Sequence, residues 1–304
     1  MCVYPTVIEF SINIENSITN PYLYTAKHHS MKTLKNHLIL YDAECPMCNL
    51  YTRAFTTTGM LDPNGRAPYQ DMPEFACPLV HRQRSVDEIA LIDKSTGEVR
   101  YGIDSLFAII GSSFPIFKPL FANKAFHWAM RKLYAFISYN RKVIIPAPKT
   151  ATPGIQPSFK LRYRLAWLLF TAMIAGGVLS AYTKLLAGWV PTGTPWREYA
   201  ICGGQILFQG AIVTAIAPAK KWDYLGNMMT ISLAGALLLL PMLAAATLIH
   251  LSPLIPTTYF VLVVALMLLE HIRRTKLLSF NRTLTITWIA YRLGILGTIF
   301  YIQL

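Results

Sequence analysis

Charged side chains are scarce in this chain. They make up 14% of its 304 residues, while hydrophobic residues make up 54%, against a charged fraction of about 25% in soluble domains. The deficit is uneven. Residues 31–150 carry acids, bases, prolines and polar turns in globular proportion, whereas residues 165–304 are long apolar runs broken by short basic segments. Acid is the scarcer sign, with 15 Asp and Glu against 28 Lys and Arg, for a net charge of +13. In a soluble protein that excess would point to nucleic acid, but no basic stripe interleaved with aromatics accompanies it, so no nucleic-acid partner is expected. Cysteine is sparse as well: Cys2, Cys45, Cys48, Cys77 and Cys202 are too few and too scattered for a disulfide scaffold. Residues 1–30 lack the charged start and apolar core of a signal peptide. They are expected to be a disordered leader, and no function is placed there.

What is abundant is apolar length. Five windows, residues 165–187, 199–219, 225–251, 256–270 with its flanks, and 283–304, approach or reach the roughly 20 residues that a helix needs to cross a bilayer. The fourth is the weakest, because Glu270 and His271 interrupt it, and a four-span reading stays open. Bases mark every second loop. Arg141, Lys142, Lys149, Lys160, Arg162 and Arg164 precede the first span, Lys220 and Lys221 separate the second and third, and Arg273, Arg274, Lys276 and Arg282 separate the fourth and fifth. The remaining loops hold only Arg197 beside Glu198, or no charge. By the positive-inside rule the N-terminal region is expected in the cytoplasm, the C-terminus on the opposite side, and the whole in a bacterial inner membrane.

Within the apolar half, Arg292 falls near the middle of the last span, where a charge costs about 2.5–3.5 kcal/mol on insertion scales. It shares a helical stripe with Thr285 and Trp288. Cys202, Gln205 and Gln209 share another on the second span, with the same offsets of three and seven. Two readings follow for Arg292, Gln205 and Gln209. The glutamine carbonyls accept from the guanidinium and lock the bundle, or the residues form a polar site for an anionic or quinone-like ligand. The first is the plainer.

In the N-terminal half one cysteine pair has informative spacing. Residues 37–42 (HLILYD) read as a short strand leading into Cys45-Pro46-Met47-Cys48 and a helix-compatible run to Thr57. Proline after Cys45 suits a first helical turn, so Cys45 is expected at a helix N-terminus. There, unpaired amides and the macrodipole stabilise a thiolate, lowering a thiol pKa from about 8.5 to 7 or below. Cys48, one turn on, is placed to resolve a mixed disulfide. Residues 87–93 read as a second strand, 94–97 as a turn and 98–101 as a third strand. Gly102 opens a helix to residue 110, and residues 123–141 form another. The outline is a thioredoxin-like α/β domain (residues 31–145), a basic linker (146–164) and an all-α transmembrane bundle of about five helices (165–304).

The segment Tyr41-Asp42-Ala43-Glu44-Cys45-Pro46-Met47-Cys48 resembles the opening Asp-x-x-Cys-x-x-Cys signature of the DCC family of thiol–disulfide oxidoreductases. The likeness continues through the hairpin and Gly102-Ile103-Asp104-Ser105, and ends in Tyr134-Ala135-Phe136-Ile137-Ser138-Tyr139-Asn140-Arg141, similar to that family's closing helix. It covers about residues 31–145; the membrane half lies outside it. The resemblance implies a thioredoxin-like fold and a dithiol site at Cys45 and Cys48, with Asp42 as the signature acid. One departure from thioredoxins proper is that Arg84-Ser85-Val86 occupies the stretch where those proteins place a cis-proline.

The pair leads to a redox reading in which Cys45 attacks a substrate disulfide, in a protein or small thiol compound, and Cys48 resolves it. No cofactor is expected beyond this redox-active disulfide. Cytoplasmic placement favours the reductase direction. A redox-sensing transporter or assembly factor is a second reading. Structural zinc on Cys45, Cys48, Cys77 and His81 is a third, since CxxC is also half of a zinc site. Asp42 is either a proton shuttle to Cys48 or a capping carboxylate. Asn140 and Arg141 are expected to stabilise the domain or its junction with the membrane. Electron relay across the bundle through thiols alone is not expected, since only Cys202 is available there; a bound quinone would be needed.

Overall fold

The computed structural model describes residues 32–147, 156–191, 193–249 and 251–301. The expected leader with Cys2, and the linker residues around Lys149, lie outside the described residues. The chain divides into two compact units. One comprises residues 32–42 with Asn49–Met130; the other comprises Ala43–Cys48 with Arg131 and everything after it.

The first unit is built on a mixed four-stranded sheet in the order β2-β1-β3-β4. Strand β1 (His37–Tyr41) is central, and its apolar run buries Leu38, Ile39 and Leu40 almost completely. Helix α1 (Pro46–Thr57) leads to β2 (Arg66–Pro68), which pairs parallel to β1 with Ile39 opposite Arg66. Proline at the end of β2 is tolerated because the strand is at a sheet edge. Helix α2 (Arg82–Asp87), strand β3 (Ala90–Asp93) and strand β4 (Val99–Tyr101) follow, with β3 antiparallel to both β1 and β4. Leu38, Leu40, Ala76, Val80, Ala90 and Ile92 form the core on one sheet face.

Two expectations need correction here. The strand expected over residues 87–93 begins only at Ala90. His81 caps a helical turn before it, its Nδ1 accepting from the Arg84 N–H at 3.3 Å, and a capped N-terminus of this kind favours helix locally. Strand β2 was not anticipated, because three residues ending in proline carry no readable alternation. The β3–β4 turn forms as expected. Asp93 Oδ1 accepts from the Ser95 hydroxyl (2.6 Å) and amide (2.9 Å). These bonds, the hydroxyl first, hold the Asp93 carboxyl down to about 2. Gly102, at φ +59°, turns the chain into α3 (Ile103–Ser113), a backbone conformation that glycine adopts without strain. Helix α4 (Lys118–Ala122) and helix α5 (Lys124–Ser138) follow.

The second unit contains the short α6 (Arg141–Ile144) and five long helices: α7 (Leu161–Tyr182), α8 (Arg197–Ile216), α9 (Lys221–Leu248), α10 (Leu254–Leu277) and α11 (Thr283–Tyr301). All five are long and apolar enough to cross a membrane, as an integral membrane protein requires. The helix expected to be the weakest span, α10, continues through Glu270 to Leu277 and is long enough to cross. The Glu270 carboxylate is matched within the helix by Arg273 (2.6 Å) and Arg274 (2.7 Å). Helix α9 packs most extensively on α7, then on α10, while α8 lies against α7, α11 and α9. Leu168, Val213, Tyr224, Leu225, Met228, Met229, Leu284 and Trp288 make the largest apolar cluster.

Candidate functional site

Cys45 is the residue immediately before α1, and its sulfur occupies the place that a Ser or Asp oxygen takes in an ordinary helix cap. The Cys48 N–H donates to Cys45 Sγ at 3.4 Å. Pro46, the first helical residue, has no N–H to offer. The strand-to-helix placement and the one-turn separation of the cysteines are therefore as read from the sequence. Neither cysteine is in a disulfide, and both are buried, with 5% of Cys45 and 3% of Cys48 exposed. Their segment, Ala43–Cys48, groups with the unit containing the five long helices. Sequence patterning gave no hint of that.

Asp42, at the end of the central strand in the first unit, is 3% exposed and accepts from Gln70 Nε2 at 2.9 Å. Gln70 is a partner that sequence reasoning missed, because it follows the unrecognised β2. Arg66, on β2, stacks its guanidinium 4.2 Å from the Tyr41 ring and donates to Asn49 Oδ1 at 2.6 Å. Cys77 and His81 do not complete a metal set. Among the described residues no three His, Cys, Asp or Glu side chains are gathered as a metal ion would need, and the His81 ring is engaged in its own helix cap.

Asn140 and Arg141 are both buried, at the start of α6, and two arginines from the long helices close on this segment. Arg164 donates through Nε to Asn140 Oδ1 (3.1 Å) and through Nη1 to the Trp222 carbonyl (2.6 Å). Arg274 donates to the carbonyls of Val143 (2.7 Å) and Ile144 (3.2 Å) and to Asn227 Oδ1 (3.0 Å). These two bases, counted as loop charges from sequence, are buried structural clamps, with 3% of Arg164 and 7% of Arg274 exposed.

Deeper among the long helices the two expected stripes meet, but not uniformly. Arg292 Nη2 donates to Gln205 Oε1 at 3.2 Å. Gln209 is engaged elsewhere: its Oε1 accepts from the Tyr224 hydroxyl (3.0 Å) and its Nε2 donates to Thr287 Oγ1 (3.2 Å). His271, absent from the sequence reading as a site residue, joins Tyr224 through Nε2 and Thr285 through Nδ1, each at 3.2 Å. Cys202 is buried and free on the same helix as Gln205. No family model, curated protein or solved structure gives a significant match to this chain.

Proposed function

We propose that the chain is a membrane-anchored thiol–disulfide oxidoreductase of the DCC type, with a thioredoxin-like N-terminal domain on the cytoplasmic face of a bacterial inner membrane. The observation that carries this reading is the Cys48 amide donating to Cys45 Sγ at the start of a 12-residue helix. An N–H aimed at sulfur, together with the positive helix end, favours the thiolate, which is the nucleophile. In chain order the pair falls between β1 and β2, which pair in parallel, and CxxC in a βαβ sequence supports the same reading.

In this mechanism the Cys45 thiolate attacks one sulfur of a substrate disulfide, and the other substrate sulfur leaves as a thiolate. The Cys48 thiolate then attacks Cys45 Sγ and expels the second substrate thiolate. Two electrons pass to the substrate and a Cys45–Cys48 disulfide remains, to be reduced again by a dithiol donor. Burial of Cys45 means that the Ala43–Cys48 segment must open for a substrate to reach it, a local opening of the kind that costs less than global unfolding. Trapping tests this. Cys48→Ser should accumulate a mixed disulfide on Cys45, seen as a reductant-sensitive mass increase, and Cys45→Ser should accumulate none. Equal trapping by both variants would refute the assigned order.

The grouping of Ala43–Cys48 with the long-helix unit favours a second reading, a redox-sensing transporter or assembly factor. Under it, Cys45→Ser keeps the membrane function and loses only its response to oxidants; under the first, it loses disulfide reduction outright.

A further inference from the structure

The polar groups inside the long-helix bundle fall into two sets with different bookkeeping. One is a closed chain. His271 Nδ1 is joined to Thr285 Oγ1 and His271 Nε2 to the Tyr224 hydroxyl, Tyr224 donates to Gln209 Oε1, and Gln209 Nε2 donates to Thr287. With the His271 proton on Nε2, every link in it has both a donor and an acceptor.

The other set is unbalanced in one direction. Arg292 Nε, Gln205 Nε2 and Trp288 Nε1 are each buried with no hydrogen-bond partner. All three are donors. The Gln205 carbonyl, the acceptor within their own group, is taken by Arg292 Nη2. The Trp288 ring lies 4.1 Å under the Arg292 guanidinium, so the π face is occupied too. Gln205 and Trp288 are almost fully buried, with 4% and 2% exposed. Arg292 forms no ion pair among the described residues. A guanidinium in mid-span without a carboxylate, beside two further orphaned donors, is costly unless an acceptor meets it. Arg292 itself is only half-buried, and the two helices that carry the site, α8 and α11, also present exposed apolar side chains, Leu207, Phe208, Ile286 and Leu293 among them. A ligand reaching a site on such helices meets apolar surface on the same elements.

We propose that Arg292, Gln205 and Trp288 form a binding site for an oxyanion carried on an apolar tail, with Arg292 supplying charge and the other two neutral donors. A carboxylate or a phosphate presents only acceptors, which is what three donors without partners require. The site is independent of the cysteine chemistry.

The test uses the full chain, delipidated in a neutral detergent, with oleate, its uncharged methyl ester and phosphatidylglycerol as probes, read by thermal midpoint and by native mass spectrometry. Oleate, phosphatidylglycerol or both should bind saturably and raise the midpoint, and methyl oleate should not. Binding by oleate alone identifies a fatty carboxylate as the source; binding by phosphatidylglycerol identifies a lipid phosphate. Arg292→Gln should abolish binding. Trp288→Phe keeps an aromatic face but loses the N–H together with the pyrrole part of the indole; in a variant whose unliganded midpoint shows it folded, binding should weaken by about tenfold, the loss of one charge-assisted hydrogen bond. Methyl oleate binding as well as oleate, no probe binding, or unchanged binding in a folded Arg292→Gln protein would overturn the proposal.

Discussion

A sulfur that accepts a helix-start amide sits in a different environment from a thiol on an open loop. At Cys45 the Cys48 N–H, 3.4 Å away, points at the sulfur, while burial withholds solvent from both cysteines. The first effect favours reaction and the second limits access. Alkylation of Cys45 by iodoacetamide is therefore expected to be slow in the native protein and to speed up under sub-denaturing urea, as local opening becomes cheaper. A native rate equal to that of an unfolded control would show that the burial is not maintained in solution. Asp93 offers a separate check on the first unit. Its carboxyl is held at about 2 by the Ser95 hydroxyl and amide, below the unfolded value of about 3.9. The stabilisation from this turn is thus complete above the unfolded pKa and is lost as pH falls through the folded one. In Ser95→Ala the Asp93 titration should move up towards the unfolded value, as read by carboxyl NMR. The cysteines were legible as a pair because spacing of three is itself the signal. Gln70 was not, since a glutamine beside a carboxylate leaves no trace in a linear pattern.

Among the helices, length and apolar content alone give the spans, and these were legible. Their ends were less so, because a charge inside a span reads as a terminus unless its partner is known. Glu270 is such a case: Arg273 and Arg274 pair with it and the helix runs on to Leu277. Arg274 also holds α6 by donating to the Val143 and Ile144 carbonyls and to Asn227. Replacing it with methionine leaves buried acceptors unmet, at about 1–3 kcal/mol for each group. Arg274→Met should lower the thermal midpoint in detergent by several degrees, whereas Arg282→Met, at an exposed position, should leave it within error. Equal midpoints would show that the clamp contributes nothing. The α2 helix teaches the converse lesson. Residues 82–87 carry no strong helical period, and a histidine cap rather than patterning sets the start of that turn.

For the whole molecule, five helices are long and apolar enough to cross a membrane, and five crossings would put the two ends of the bundle on opposite sides. On the proposed reading, the basic segments before α7, between α8 and α9, and between α10 and α11 face the cytoplasm together with the N-terminal unit. Reporter fusions active only in the cytoplasm should function at the N-terminus and fail at the C-terminus; function at both would mean an even number of crossings. Sequence could divide the chain into two solvents' worth of residues, but the grouping of Ala43–Cys48 with the unit of the long helices left no mark in the pattern. The central claim is that Cys45 and Cys48 cycle as a redox couple in the full membrane protein. Alkylation and mass shift across glutathione buffers test it most directly. Thiol–disulfide chemistry predicts one two-electron transition of the pair within roughly −200 to −320 mV, the range of cytosolic couples. Two thiols that stay reduced, or never form a mutual disulfide at any potential in that range, would contradict it.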